Sequence, residues 1–137
     1  MKTALDSNVI SAIWSREASV PFVLRQLAAA RAQGALVISP IVFAELHAHP
    51  VVNAADIAEF LRNTEIAVDL RLEESVLRES GQRFARYAGR RRISARTEPR
   101  WLIADYVIGS HALIQADRLF TLDQKVYQQD FPELRLL

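Results

Sequence analysis

The chain has 137 residues, half of them hydrophobic and 24% charged, with a formal net charge of +1. This is the composition of one globular domain spanning residues 1–137, and it excludes a disordered segment or a uniformly basic polyanion binder. There is no cysteine, which rules out disulfides and thiolate metal sites. No apolar run approaches the ~20 residues of a membrane span, and Asp6 breaks the apolar start before a signal-peptide pattern develops, so a cytoplasmic protein with no membrane attachment is expected.

Lys2–Leu5 reads as a short buried strand and Asn8–Arg16 as a helix. Ser19 is placed as an N-cap with Pro21 in the first turn, opening a helix that ends at Gly34. Ala35–Ile38 is a second strand. Ser39-Pro40 starts a helix that stops before Pro50, and Asn53 caps another through Ile57, Phe60 and Leu61. Ile66–Val68 is a third strand. Glu73–Ala88 is amphipathic at helical spacing, Gly89–Pro99 reads as a basic loop, and Trp101–Ile114 is apolar almost all round, which marks a buried helix. Arg118–Leu122 is a fourth strand and Leu134–Leu137 a possible fifth. Strands alternating with helices imply an α/β fold, a parallel sheet covered on both faces, with ligands at the carboxyl ends of its strands.

Four acids interrupt apolar runs. Asp6 follows Thr3-Ala4-Leu5, and Glu45 follows Ile41-Val42-Phe43-Ala44. Asp105 sits between Trp101-Leu102-Ile103-Ala104 and Tyr106-Val107-Ile108. Asp123 follows Leu119-Phe120-Thr121-Leu122. Asp6 and Asp123 fall just beyond predicted strands, at one end of the sheet. Glu45 and Asp105 lie in the early turns of helices that can start at that same edge. Buried carboxylates are costly unless paired or metal-bound. Two of them about 5 Å apart repel by roughly 3 kcal/mol at an effective dielectric of 20, so several such pairs rival the ~5–15 kcal/mol net stability of a domain. A hard divalent cation, Mg²⁺ or Mn²⁺, resolves the conflict and suits an oxygen-only donor set.

Each acid also has a plainer reading. Asp6 alone could be a helix N-cap, Glu45 a half-exposed helix acid, and Asp123 a cap on the turn into Gln124–Gln129. Asp105 is harder to set aside, because its helical neighbours Trp101, Ile108 and Gly109 are apolar or small. The histidines add little. His111 lies about 240° around the helix from Asp105, and His47 about 200° from Glu45. His49 shares a face with Glu45 but adjoins Pro50.

The segments Leu5-Asp6-Ser7-Asn8-Val9-Ile10, Ser39-Pro40-Ile41-Val42-Phe43-Ala44-Glu45-Leu46, Ile103-Ala104-Asp105-Tyr106-Val107-Ile108-Gly109-Ser110-His111-Ala112 and Leu119-Phe120-Thr121-Leu122-Asp123 together resemble the PIN domain, in the form of the VapC-like toxins of toxin–antitoxin pairs. The resemblance runs end to end. It implies a five-stranded parallel sheet flanked by helices and a Mg²⁺- or Mn²⁺-dependent endoribonuclease, with Asp6, Asp105 and Asp123 as metal carboxylates. Glu45 would complete the catalytic set, with Ser7, Asn8 and Thr121 in support. It also implies a cognate antitoxin, a homodimer, and docking of both partners on helices of the N-terminal half. The chain departs from the family pattern at Leu122, where an arginine is common.

Seven arginines and one acid, Glu98, lie between Arg83 and Arg100. Arg90, Arg91, Arg92, Arg96 and Arg100 are candidates for RNA contact; otherwise they are a solvated helix end and loop. Trp101 reads as core, whereas Trp14, with Ile10 and Ile13, could form a partner surface. The rival to a nuclease is a non-catalytic RNA-binding or scaffold module on the same fold. A phosphotransfer or receiver domain fits poorly, because no second acid neighbours Asp6.

Overall fold

The computed structural model describes residues Met1–Leu137. Strands β1 (Thr3–Leu5), β2 (Leu36–Ile38), β3 (Ile66–Val68) and β4 (Arg118–Phe120) form one sheet in the order β3-β2-β1-β4, with every pair parallel. Parallel neighbours cannot be joined by a tight turn, so each connection crosses over through helices. Helices α1 (Ser7–Trp14) and α2 (Val20–Gln33) link β1 to β2. Helices α3 (Pro40–His47) and α4 (Ala54–Thr64) link β2 to β3. Helices α5 (Glu74–Ile93) and α6 (Ile103–Gln115) link β3 to β4, and α7 (Lys125–Asp130) follows.

Every residue of β1, β2 and β4 is buried. Successive strand residues point to opposite faces, so both faces of these strands are covered. The sheet anchors a core of 25 buried residues that includes Leu5, Ile10, Val42, Leu46, Tyr106, Leu119 and Phe120. The chain builds outward from β1 through β2 to β3, then returns to the far side of β1 for β4. That reversal places a topological switch point between the carboxyl ends of β1 and β4, where α/β sheets open a crevice. No helix is long and apolar enough to cross a membrane.

The sheet has four strands, not five. Leu136 meets Leu119 in a single parallel bridge, held by Leu119 N–H to the Arg135 carbonyl and Leu137 N–H to the Leu119 carbonyl, each 2.9 Å. The turn in which Leu134 N–H bonds the Phe131 carbonyl brings only the last residues alongside β4, enough for one bridge and no ladder.

Several boundaries also differ. The basic segment starting at Gly89 is not loop at first: α5 continues through it to Ile93, because one glycine costs only ~1 kcal/mol in a helix and arginine is a good helix former. The break comes at Ala95 and Arg96, both left-handed with φ of 55° and 64°. Helix α6 starts at Ile103 rather than Trp101. Helix α1 ends at Trp14, ahead of the left-handed Arg16 at φ 53°. Ser19 makes no side-chain cap bond. Ser39 does, accepting from Val42 N–H at 3.3 Å, and Asn53 and Asp56 form a reciprocal capping box.

Two glycines are explained by close approach. A Cβ on Gly34 would lie 1.9 Å from the Met1 carbonyl oxygen, and one on Gly109 would lie 2.7 Å from the Phe131 ring. Phe131 is fully buried, packs near Tyr106 and Tyr127, and carries the Arg83 guanidinium 4.6 Å from its ring centre. Gly109 therefore sets how closely the C-terminal segment seats on α6. Although alanine suits helices better than glycine, Gly109→Ala is expected to lower the unfolding free energy by about 1–3 kcal/mol through overpacking. Urea denaturation checks this, and an unchanged or raised midpoint would show that Phe131 moves aside freely.

Candidate active site

The carboxyl end of β1 delivers Asp6 into the switch point, and the end of β4 delivers Thr121 beside it. Asp6 N–H bonds the Phe120 carbonyl at 3.0 Å, which continues the β1–β4 pairing one residue past the strands. Asp6 occupies the N-cap position of α1, yet its side chain makes no capping bond. Its Oδ2 instead accepts from the Thr121 hydroxyl at 2.9 Å and the Tyr127 hydroxyl at 3.1 Å. The helix-cap reading of this carboxylate therefore fails.

Asn8 is the second tie across the crevice. Its Oδ1 accepts from Leu122 N–H at 3.1 Å, and its Nδ2 donates to Thr121 Oγ1 at 3.2 Å. Ser7 and Asn8 reach Asp6 only at 3.5 and 3.4 Å. These bonds fix the direction in which Asp6 points.

Asp6, Glu45, Asp105 and Asp123 line one cavity of about 170 Å³, together with Ser7, Asn8, Trp101 and Tyr127. They come from four distant segments: the end of β1, the second turn of α3, the first turn of α6 and the turn after β4. Thr121 stands just behind, with its hydroxyl on Asp6 and accepting from Asp123 N–H at 3.2 Å. Asp6 is 7% exposed; Glu45 and Asp123 face solvent more openly.

Burial, reinforced by neighbouring carboxylates, raises the pKa values of Asp6, Glu45 and Asp105. Burial pushes Asp6 up, and the Asp105 charge adds to this, while the Thr121 and Tyr127 hydrogen bonds oppose it. Burial raises Glu45, followed by the charges of Asp6 and Asp105, and the Ser7 hydroxyl acts the other way. Burial also raises Asp105, the Leu102 N–H opposes this, and the Asp123 charge raises it further. The phenol of Tyr127 is pushed far up by burial and by the surrounding acids, so it stays protonated and acts as a donor.

The acids are not drawn into a shared coordination sphere: no three His, Asp or Glu side chains are placed to hold one ion. Local bonds hold some of them back. Asp105 Oδ2 accepts from Leu102 N–H at 3.0 Å, and Asp123 Oδ1 accepts from Lys125 N–H at 3.3 Å. The donor set still fits Mg²⁺ or Mn²⁺, because such an ion keeps several waters and needs only one or two direct carboxylates.

The remaining candidates separate. Arg90 is tied to Asp130 Oδ1 at 2.8 Å and faces Glu98 at 3.7 Å, while Arg91, Arg92, Arg96 and Arg100 line a second cavity. His111 turns from the site and bonds Asp69 at 3.0 Å, and His49 meets the Ser15 hydroxyl at 3.3 Å. Trp14 packs edge-on against Phe60 and His49; Ile10 is buried in the core, and Ile13 and Trp14 are half-buried against it. Trp101 is half-buried and lines the acidic cavity, not simply core. Tyr127 is a site residue that sequence reasoning missed; the one signal for it was its position four residues beyond Asp123, in the helix that follows.

A family model described as PIN domain matches residues 3–132. No curated protein matches the chain. Among solved structures, VapBC2 from Rickettsia felis, bound to a DNA fragment from their promoter, is similar at 21% identity and a TM-score of 0.72, over 100% of this chain and 98% of the other. VapBC-1 from nontypeable Haemophilus influenzae is similar at 25% identity and a TM-score of 0.62, over 100% and 97%.

Because acids with raised pKa values favour the folded state only while they stay protonated, that stabilisation is present at low pH and lost as pH rises through the raised values. Glu45→Gln should therefore raise the melting temperature in EDTA at pH 7–8 only slightly, by about 1–2 °C, because Glu45 is exposed and water screens most of its cost. The gain should vanish near pH 4. Thermal melts across that range test it, and a pH-independent effect would show that the charged form of Glu45 is not the cause.

Proposed function

The chain belongs to the PIN domain family, and from that premise we propose that it is a metal-dependent endoribonuclease, the toxin of a toxin–antitoxin pair. The observation that carries the reading is the single cavity at the sheet's switch point to which four separate segments each contribute a carboxylate. The two similar solved structures are VapBC assemblies, which supports a cognate antitoxin as partner. Action as a homodimer in the cytoplasm belongs to the same reading.

In this reading Asp6, Asp105 and Asp123 hold Mg²⁺ or Mn²⁺, directly or through its waters, and Glu45 completes the set. Bound there, the cation would orient a phosphate, acidify a water and offset charge on the leaving oxygen. The chain's own residues do the rest. Thr121 and Tyr127 hold the Asp6 carboxylate in one orientation. Asn8 keeps the ends of β1 and β4 in register. Glu45, with a raised pKa, suits the task of taking a proton from the attacking water. Water adds to phosphorus, one bridging P–O bond breaks, and the leaving oxygen gains a proton.

A second reading, an RNA-binding module without catalysis, draws on one observation: the Asp105 carboxylate already serves the backbone of its own helix. One assay separates the two. Asp6→Asn and Asp105→Asn should each reduce cleavage of RNA by purified, antitoxin-free protein at least a hundredfold while circular dichroism stays unchanged, and EDTA should do the same to the wild type. Retardation of RNA without cleavage in Mg²⁺ or Mn²⁺ would instead establish the module.

A further inference from the structure

Beyond the acidic cleft lies a second cavity of about 250 Å³, walled by Arg91, Arg92, Arg96, Arg100, Tyr87 and Trp101 among others. Trp101 lines both cavities, so this one residue borders an acidic and a basic compartment. The basic one is built and held. The Tyr87 hydroxyl donates to the Pro99 carbonyl at 2.5 Å and accepts from the Trp101 backbone N–H at 2.7 Å. The Tyr87 and Trp101 rings lie 5.2 Å apart and 30° from parallel. Ala95 and Arg96 take left-handed backbone, without being glycine, where the chain turns out of α5. Arg96 N–H closes that turn on the Arg91 carbonyl at 2.8 Å.

The charges here are not neutralised internally. Arg83 and Arg90 each find carboxylates, whereas Arg92, Arg96 and Arg100 form no ion pair in the molecule. In a chain of net charge +1, three unpaired guanidinium groups beside an aromatic face form a local anion site. A guanidinium matches phosphate with paired N–H donors, and an aromatic face takes an unstacked base of any identity.

We propose that this cavity is a nucleotide subsite adjoining the cleavage position: an unpaired base of the RNA rests against Trp101 while its phosphate lies among Arg92, Arg96 and Arg100. The proposal rests on the nuclease reading of the acidic cavity and adds the side from which the strand enters it. Arg90, held by Asp130, takes no part. The base must leave its helical stack to reach the indole, so the subsite selects single-stranded over duplex RNA.

The test measures binding without turnover. A labelled, mixed-sequence single-stranded oligoribonucleotide is titrated in EDTA with the wild type, with the combined Arg92→Ser, Arg96→Ser and Arg100→Ser variant, and with Trp101→Ala and Trp101→Phe. The triple variant should bind at least tenfold more weakly, and its salt dependence should be shallower by about 0.7 for each phosphate that is no longer neutralised. Trp101→Ala should weaken binding about five- to a hundredfold, and Trp101→Phe should retain most of it. In a Trp14→Phe background, the remaining indole fluorescence should be quenched on titration. Unchanged affinity in both the triple variant and Trp101→Ala, or equal affinity for duplex RNA, would overturn the subsite. The two readings fail separately. Cleavage with binding indifferent to these residues removes the subsite and leaves the nuclease, whereas arginine-dependent binding without cleavage in Mg²⁺ or Mn²⁺ removes the nuclease.

Discussion

The bond between the Thr121 hydroxyl and the Asp6 carboxylate spans the one place where the order of the sheet turns back. On one side the chain leaves β1 into α1; on the other it leaves β4 toward α7. The two exits diverge and open the crevice, and Thr121, Asn8 and Tyr127 close its floor around Asp6. Glu45 and Asp105 come to this cavity because helices α3 and α6 start at the same edge of the sheet, and Asp123 comes with the turn that leaves β4. Without that floor, the carboxylate of Asp6 would be free to turn and cap the N-terminus of α1.

The cleft sets stability against chemistry. Burial and mutual repulsion raise the pKa values of Asp6, Glu45 and Asp105, so the ionised cleft weakens the fold that creates it. The core beneath offsets this, with β1, β2 and β4 buried at every residue. Hydrogen bonds from Thr121 and Tyr127 relieve part of the strain on charge at Asp6, and the Leu102 N–H does so at Asp105. Such an arrangement favours any partner that brings positive charge into the cleft, whether a cation or a basic side chain.

Trp101 links the two charged compartments. Its backbone N–H is fixed by Tyr87, and it stands where α6 begins, two residues before the helix and four before Asp105. The carboxylate cleft and the arginine cavity are therefore positioned by one short stretch of chain. Phosphate cannot approach the acids unaided, but it can approach the arginines beside them. This neighbourhood of opposite charges suits a polyanionic strand that must be bound and also brought to a negatively charged cleft.

The amino-acid sequence by itself determined the alternation of strands and helices, because buried strands and amphipathic helices leave periodic apolar patterns that depend on near neighbours. It also singled out Asp6, Glu45, Asp105 and Asp123, because a carboxylate inside an apolar run conflicts locally with its surroundings. Tertiary structure decided the rest. A fifth strand shrank to one bridge, since ladder length depends on where the preceding turn releases the chain. Helix α5 ran on through Gly89, because one glycine does not outweigh the helix formers around it. Tyr127 acquired its role from Asp6, 121 residues away in the chain, and Trp101 its place between two cavities from the packing of α5 against α6. Such roles arise from long-range proximity, which no local pattern of residues encodes.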